Sequence, residues 1–456
     1  MLQIQQGQAR RNCQGRGRRT ALKAGLLGVL GLSLPDFLRL QAEGSVQARK
    51  DTAVILLWLD GGPSQLETYD PKPDAPAEYR GPFGVINTNV PGIRLSEMLP
   101  RHARHADQMV FVRSLHHATG DHFAGAHWML TGRFGATTAN KTPRHPSVGS
   151  YTARVRGPNQ PGLPAYVGLP AAESVYLFPG YQGAAYLGSA YDPFDVDRQQ
   201  KYLPADWPGV ISRPKFLDQL QAGHLAGRRD LLHSFDTLQR HIDRSGVAES
   251  MDRYQHQALA MILSGKARDA FDLDKEPAKV ADRYGKSPWG RYTLLARRLV
   301  EAGVTFVTVD MPHWDHHSRI ESSLRRCLPP LDQAVGALVE DLQQRGLMQR
   351  VLLVVMGEFG RTPRLNKGQP GIPVPGRDHW GSSISALLAG GGLRGGQVIG
   401  ETNSRGEHPV KRPLTPADLL ATVYHVLGID PRRTFQDHTG RPHPILDDGQ
   451  PIAEAI

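Results

Sequence analysis

"VLLVVMGEFGRTPRLN", residues 351–366, begins with six consecutive apolar residues and then breaks into Gly357, Glu358, Gly360 and Arg361. An apolar run of that length bounded by glycine reads as a strand buried on both faces. Two other runs have the same form: "TAVILLWL" (52–59) gives way to Asp60, and "VTFVTV" (304–309) to Asp310. Amphipathic segments lie between them. "GRYTLLARRLVEAG" (290–303) and "LDQAVGALVEDLQQRG" (331–346) both close on glycine, as helix C-caps do. The alternation predicts an α/β fold, a largely parallel sheet with helices on both faces. In such sheets ligands bind beyond the carboxyl ends of the strands, where Asp60, Asp310 and Glu358 fall.

With 456 residues, 39% of them hydrophobic and 21% charged, the chain can bury a large core, which excludes disorder as a whole. The net charge of +10 is concentrated at one end. Residues 1–48 hold seven Lys/Arg against Asp36 and Glu43. What remains is spread thinly, with no basic helix and no interleaved aromatics, so no nucleic-acid partner is expected. The leader "RGRRTALKAGLLGVLGLSLPDFLRLQAEGSVQA" (16–48) has the charge, apolar stretch and small residues of an export signal. Arg18 and Arg19, followed by Leu22 and Lys23, resemble a twin-arginine signal, which implies the twin-arginine export machinery as a partner and a periplasmic or cell-envelope location. Its apolar stretch is short against the roughly 20 residues of a bilayer span, and no second candidate follows, so the mature protein is expected not to be transmembrane. Residues 49–456 then form a single domain, with a loop-rich and helical insertion at about 135–270, dense in Gly, Pro and Tyr up to about 230 and helical from about 214. Of two cysteines, Cys13 lies in the leader and Cys327 at the expected start of a helix, leaving no intrachain disulfide.

Four clusters carry chemistry. "WLDGGPSQLETYD" sets Asp60 at a strand end before a Gly-Gly turn and Ser64. "SLHHATGDHFAGAHWMLTGR" offers His116, His117, Thr119, Asp121, His122 and His127, some of them interior polar groups, with His122 in the first turn of a helix whose dipole suits anions. "VDMPHWDHHSR" places Asp315 and His317 in a loop after a strand, a pairing suited to Zn or Mn. The opening stretch adds Glu358 and Arg361, either an ion pair or a metal ligand beside a two-pronged anion clamp, and its continuation adds Asp378 and His379. "AGGGLRGG" (389–396) lacks the Lys-Ser/Thr of a P-loop and reads as a turn.

Together, "LDGGPSQLETYD", "DHFAGAHWMLTGR", "ARRLVEAGVTFVTV" with "WDHH", "VVMGEFGRTPRLN", and "GRDHW" with "LLAGGGLRGG" resemble the bacterial family called domain of unknown function 1501, over nearly the whole mature chain. That family looks like a branch of the alkaline phosphatase and sulfatase superfamily. The resemblance implies an alkaline-phosphatase-like fold and a divalent-metal site hydrolysing phosphate or sulfate esters. By position, Asp60, Asp315, His317, Glu358 and His379 are the implied ligands, and the nucleophile position falls near His122, where relatives carry Ser, Thr or an oxidised Cys. Phe359 stands where relatives have a histidine ligand, so one metal is expected to be lost or weakly bound. The Cys-x-Pro-x-Arg signature of formylglycine sulfatases is absent. Three routes stay open: Thr119 or Ser64 as alkoxide, His122 as a phosphorylated nucleophile, or a metal-activated water. The expectation is an exported hydrolase of an anionic small-molecule or glycan ester, with Zn or Mn favoured and Ca or Mg possible, and with His122, Thr119 and Arg361 as acid/base, nucleophile or anion clamp. The alternative is a non-catalytic cell-envelope binding protein that keeps the fold.

Overall fold

The computed structural model describes residues 51–135, 137–172, 181–200, 202–207 and 265–456. The leader and most of the helical stretch expected over 214–270 lie outside the described residues. Arg49–Ile456 is one compact unit, and among its described residues no helix is long and apolar enough to cross a membrane.

The three apolar runs form β1 (Ala53–Leu59), β5 (Phe306–Met311) and β6 (Val351–Met356), every residue of each buried. They lie side by side and parallel, with Val54 opposite both Phe306 and Leu352. Five more strands complete the eight-stranded sheet: β2 (Met109–Leu115), β3 (Tyr166–Leu169), β4 (Phe194–Asp195), β9 (Ile384–Gly390) and β10 (Gln397–Ile399). Their spatial order is β10-β2-β9-β6-β1-β5-β3-β4. Only β9 runs against its neighbours, pairing antiparallel with β2 and β6. A short ribbon, β7 (Gly360–Arg361) with β8 (His379–Trp380), hangs off the end of β6.

Alternate residues of each strand serve opposite faces. Ile55, Leu57 and Leu59 pack with α3 (Pro288–Ala302) and α4 (Ile320–Gln344), whereas Val54, Leu56 and Trp58 pack with α1 (His122–Thr131), α2 (Val148–Arg156) and α5 (Pro416–Leu427). Helices therefore cover both faces, as the sequence pattern predicts. The ends carry local signals: Ser287 caps α3 through the Gly290 N–H with Pro288 in the first turn, and Thr415 and Asp418 form a reciprocal capping box on α5.

Three local expectations need correction. Residues 135–230 contribute more than loops, because α2, β3 and β4 come from them; the two strands have four and two residues, too short to show a period. Asp310 lies inside β5 opposite Trp58 rather than beyond its end. Cys327 sits two turns into α4, and burial pushes its thiol up to about 12, so it packs and does not react.

Candidate metal centre

Five loops meet at the carboxyl ends of β1, β5 and β6. After β1 the chain turns at Gly61 and Gly62, with φ of 113° and 83°. Only glycine fits there: a Cβ on Gly61 would lie 2.6 Å from the Asp315 nitrogen, and one on Gly62 2.4 Å from the Phe359 ring. That close approach brings the Gly61 N–H to both oxygens of Glu358, at 2.9 and 3.1 Å. Helix α1 starts at the same place, its N-cap Asp121 accepting from the Ala124 N–H, so His122 projects from the first turn.

His122, Asp315 and His379 offer ligand atoms that all lie within 4.8 Å of one another. Glu358 Oε1 is 2.7 Å from His122 Nδ1, and Asp315 Oδ2 is 3.4 Å from His122 Nε2. Asp315 Oδ1 is 3.0 Å from both His317 Nε2 and His379 Nε2. The outer nitrogens of these two rings are already used: His379 Nδ1 donates to the Gly120 carbonyl at 2.7 Å, and His317 Nδ1 lies 2.6 Å from Asp378 Oδ1. With a proton fixed on each Nδ1, both Nε2 atoms present lone pairs, and they lie 2.9 Å apart. Two imidazole lone pairs and a carboxylate oxygen aimed at one another repel unless a cation, proton or metal, stands among them.

The electrostatics follow the contacts. Burial lowers the His122 pKa, but hydrogen bonds to Asp315 and Glu358, reinforced by their charges, outweigh it and push the imidazole up to about 9. Burial raises Asp315, yet His122, His317, His379 and the Arg361 guanidinium hold its carboxyl far below the usual range. The Asp315 hydrogen bond raises His317. Beneath this layer Asp60 and Asp310 are buried at 0% and 1% exposure. Both carboxylate oxygens of Asp310 lack a hydrogen-bond partner among the described residues, and burial, followed by the charges of Asp60 and Glu358, pushes its pKa well up. Tyr181 is raised in the same way, by burial and then by Asp60 and Asp310. The Asp310 carboxylate, left without a donor beside a nitrogen and oxygen donor set, fits a divalent cation nearby.

The sequence-read residues separate into groups. Asp315, His317, His379, His122 and Glu358 are joined by direct contacts, and Asp60 lies below with Asp310. Arg361 is 1% exposed and turned inward: Nε donates to the Gly62 carbonyl at 2.8 Å, Nη1 to that of Arg377 at 3.1 Å, and Nη2 to Gly61, Trp314 and Asp315. In this arrangement the guanidinium braces the turn and Asp315, and it forms no ion pair with Glu358. Ser64 is also buried, its hydroxyl donating to Glu67, whose carboxylate also holds Arg377, so no alkoxide role is open to it. Thr119 is half-buried, accepts from the Asp121 N–H at 3.1 Å and precedes the Gly120 that anchors His379. The remaining histidines of its segment hold backbone: His116 meets the Leu414 carbonyl, His117 that of Glu358, and His127 that of Arg133. Phe359 packs against His379 and His122, with ring centroids 4.4 and 5.0 Å away. Asp310 was absent from the sequence-based ligand set; an acid preceded by "VTFVTV" and followed by Met311 was its signal.

An α/β chain with a mixed His/carboxylate cluster at the strand ends is the class that this fold and site define. The family described as "Protein of unknown function (DUF1501)" matches residues 51–456, and the chain belongs to it. No curated protein sequence matches. Among solved structures it is similar to the PsFucS1 sulfatase from Pseudoalteromonas sp., at 12% identity over 85% of this chain and 72% of that one, with a TM-score of 0.38. It is also similar to a phosphonate monoester hydrolase of Agrobacterium radiobacter, at 11% identity, 89% and 77% coverage and a TM-score of 0.38. The C-terminal periplasmic domain of EcEptC from Escherichia coli, in complex with Zn, matches at 10% identity, 85% and 87% coverage and a TM-score of 0.36.

Proposed function

We infer that the protein is an exported, divalent-metal-dependent hydrolase of phosphate or sulfate esters acting in the periplasm or cell envelope. The observation that carries this reading is the close approach of His317 Nε2 and His379 Nε2, 2.9 Å apart and each 3.0 Å from Asp315 Oδ1. Those three residues would hold the cation, and Zn or Mn suits the two-imidazole, carboxylate donor set. When bound, the cation supplies positive charge for the ester oxygens and acidifies a water.

The chain's own groups complete the chemistry. Gly120 and Asp378 fix the tautomers of His379 and His317, and Arg361 fixes the Asp315 carboxylate. His122, held by Glu358, keeps a proton on a ring facing the cluster and donates it to an ester oxygen or the leaving group. Thr119, beside Gly120, is the hydroxyl available as a nucleophile. Phe359 walls the two imidazoles against water. Phe359, standing where relatives carry a histidine, is also what favours the rival reading of a binding protein without turnover.

Elemental analysis of purified protein, wild type beside His379→Ala, with aryl phosphate and aryl sulfate turnover on the same samples, decides between them. Stoichiometric metal and turnover lost together in the variant support the hydrolase. Metal without turnover on either ester leaves the binder. Folded wild type that takes up neither Zn nor Mn overturns the centre.

A further inference from the structure

A second polar cavity, of about 740 Å³, opens between the segment after Tyr69, strand β2 and the turns around Gly400 and Arg412. Its volume falls in the range of pockets that hold small ligands. The buried carboxylate of Asp70 forms part of the lining; Lys72 Nζ lies 3.0 Å from it, the Thr402 hydroxyl donates to it, and Arg113 Nε is 3.7 Å away. Asp70 is thereby supplied with partners before Arg113 is considered. The Arg113 side chain is 17% exposed and makes one hydrogen bond among the described residues, from Nη2 to the Arg94 carbonyl at 2.8 Å. Its Nε is buried without a hydrogen-bond partner. A guanidinium has five N–H donors, so four are unused here, and a buried donor left without an acceptor is costly.

The rest of the lining is charged in both signs. Arg412 and Glu454 satisfy each other through two contacts, at 2.6 and 3.2 Å. On the exposed rim the charges of Arg94 and Lys411 are balanced in number by Asp74 and Glu401, so the charge in excess along the lining is that of Arg113 with Lys72 over Asp70. We propose that this cavity is an anion-recognising site, separate from the His122–Asp315–His379 cluster, whose ligand presents one sulfate, phosphate or carboxylate group to Arg113 on a neutral, hydroxyl-rich body of sugar size. The mixed-sign rim suits hydroxyl groups, which donate and accept. The inference stands whether or not the metal centre hydrolyses esters.

The test measures binding of inorganic sulfate, glucose 6-sulfate and glucose to the full chain by calorimetry and ligand-observed NMR. Wild type should bind both sulfates saturably and glucose not at all. Arg113→Met should weaken glucose 6-sulfate at least tenfold, and His379→Ala should leave it unchanged. Should Arg113→Met fail to fold by circular dichroism, Lys72→Met decides, with a weakening of several-fold expected. The proposal is overturned by folded wild type that binds no sulfate probe, by unchanged affinity in the folded variant that decides, or by binding that disappears in His379→Ala.

Discussion

The protein buries charge in two regions and treats it oppositely. On the face covered by α3 and α4, Arg297 is 1% exposed and meets Glu276 at 2.6 Å, Glu301 at 2.6 Å and Asp341 at 2.9 Å. Arg298 and Arg345 reach the same acids, at 2.5 Å to Glu276 and 2.9 Å to Asp341. Glu276, Glu301 and Asp341 each face a guanidinium. At the carboxyl edge of the sheet Asp60, Asp310, Asp315 and Glu358 come together around one arginine, Arg361, which is bonded to Asp315. The first region is complete as folded, whereas the second carries negative charge that only protonated histidine or a cation neutralises. Paired burial belongs to structure, and surplus burial marks the place where a ligand is expected.

Removing charge from each region should therefore have opposite effects. Arg297→Met leaves Glu276 to Arg298 and Arg345, and Asp341 to Arg345 and Arg283, all more exposed than Arg297, and urea unfolding should register a loss of about 3 kcal/mol; a change below about 1 kcal/mol would erase the contrast. Asp315→Ala should leave the fold cooperative but cut aryl ester turnover about 100-fold, about 2.7 kcal/mol of barrier. Asp310→Asn should stabilise the chelator-treated protein at pH 7 by about 1–2 kcal/mol, because it removes a carboxyl whose ionisation the folded state opposes. The sign follows from the raised Asp310 pKa: the folded state resists losing this proton, so the penalty grows as pH rises above the unfolded value and the gain should vanish near pH 4. Zn should shrink the same gain by binding the wild-type charge.

The smallest effect lies in neither region. Burial lowers the His127 pKa to about 4, and its ring accepts from the Arg144 and His145 N–H groups while Nδ1 meets the Arg133 carbonyl. Between about pH 6.5 and 4 the unfolded chain takes up a proton that the folded one refuses, so stability falls with pH by at most about 1.4 kcal/mol per unit. His127→Gln should flatten that slope in urea titrations at pH 7, 6 and 5.

The three central strands were legible because burial on both faces demands unbroken aliphatic runs. Helix α3 and the second half of α4 were legible from their glycine stops. The edge strands β3 and β4 were not, since a strand of a few residues carries no period. Asp60, Asp315, His317, Glu358 and His379 could be picked out through strand ends and family resemblance. His122 could not be separated from His116, His117 and His127 by spacing, because what distinguishes them is a carbonyl partner distant in sequence for two of them. Arg361 shows the same limit: nothing in "GEFGR" says that its donors point back into the protein.

The position of β1 at the centre of the sheet has a consequence for synthesis. Its two neighbours arrive about 250 and about 300 residues after it in the chain. At a translation rate of roughly 5–20 residues per second, the segment "AVILLWL" leaves the ribosome some 15–60 s before its second flank exists. During that interval a fully apolar strand has both edges open, a template for pairing with any other chain nearby. Both edges of this strand are closed only once residue 356 has emerged.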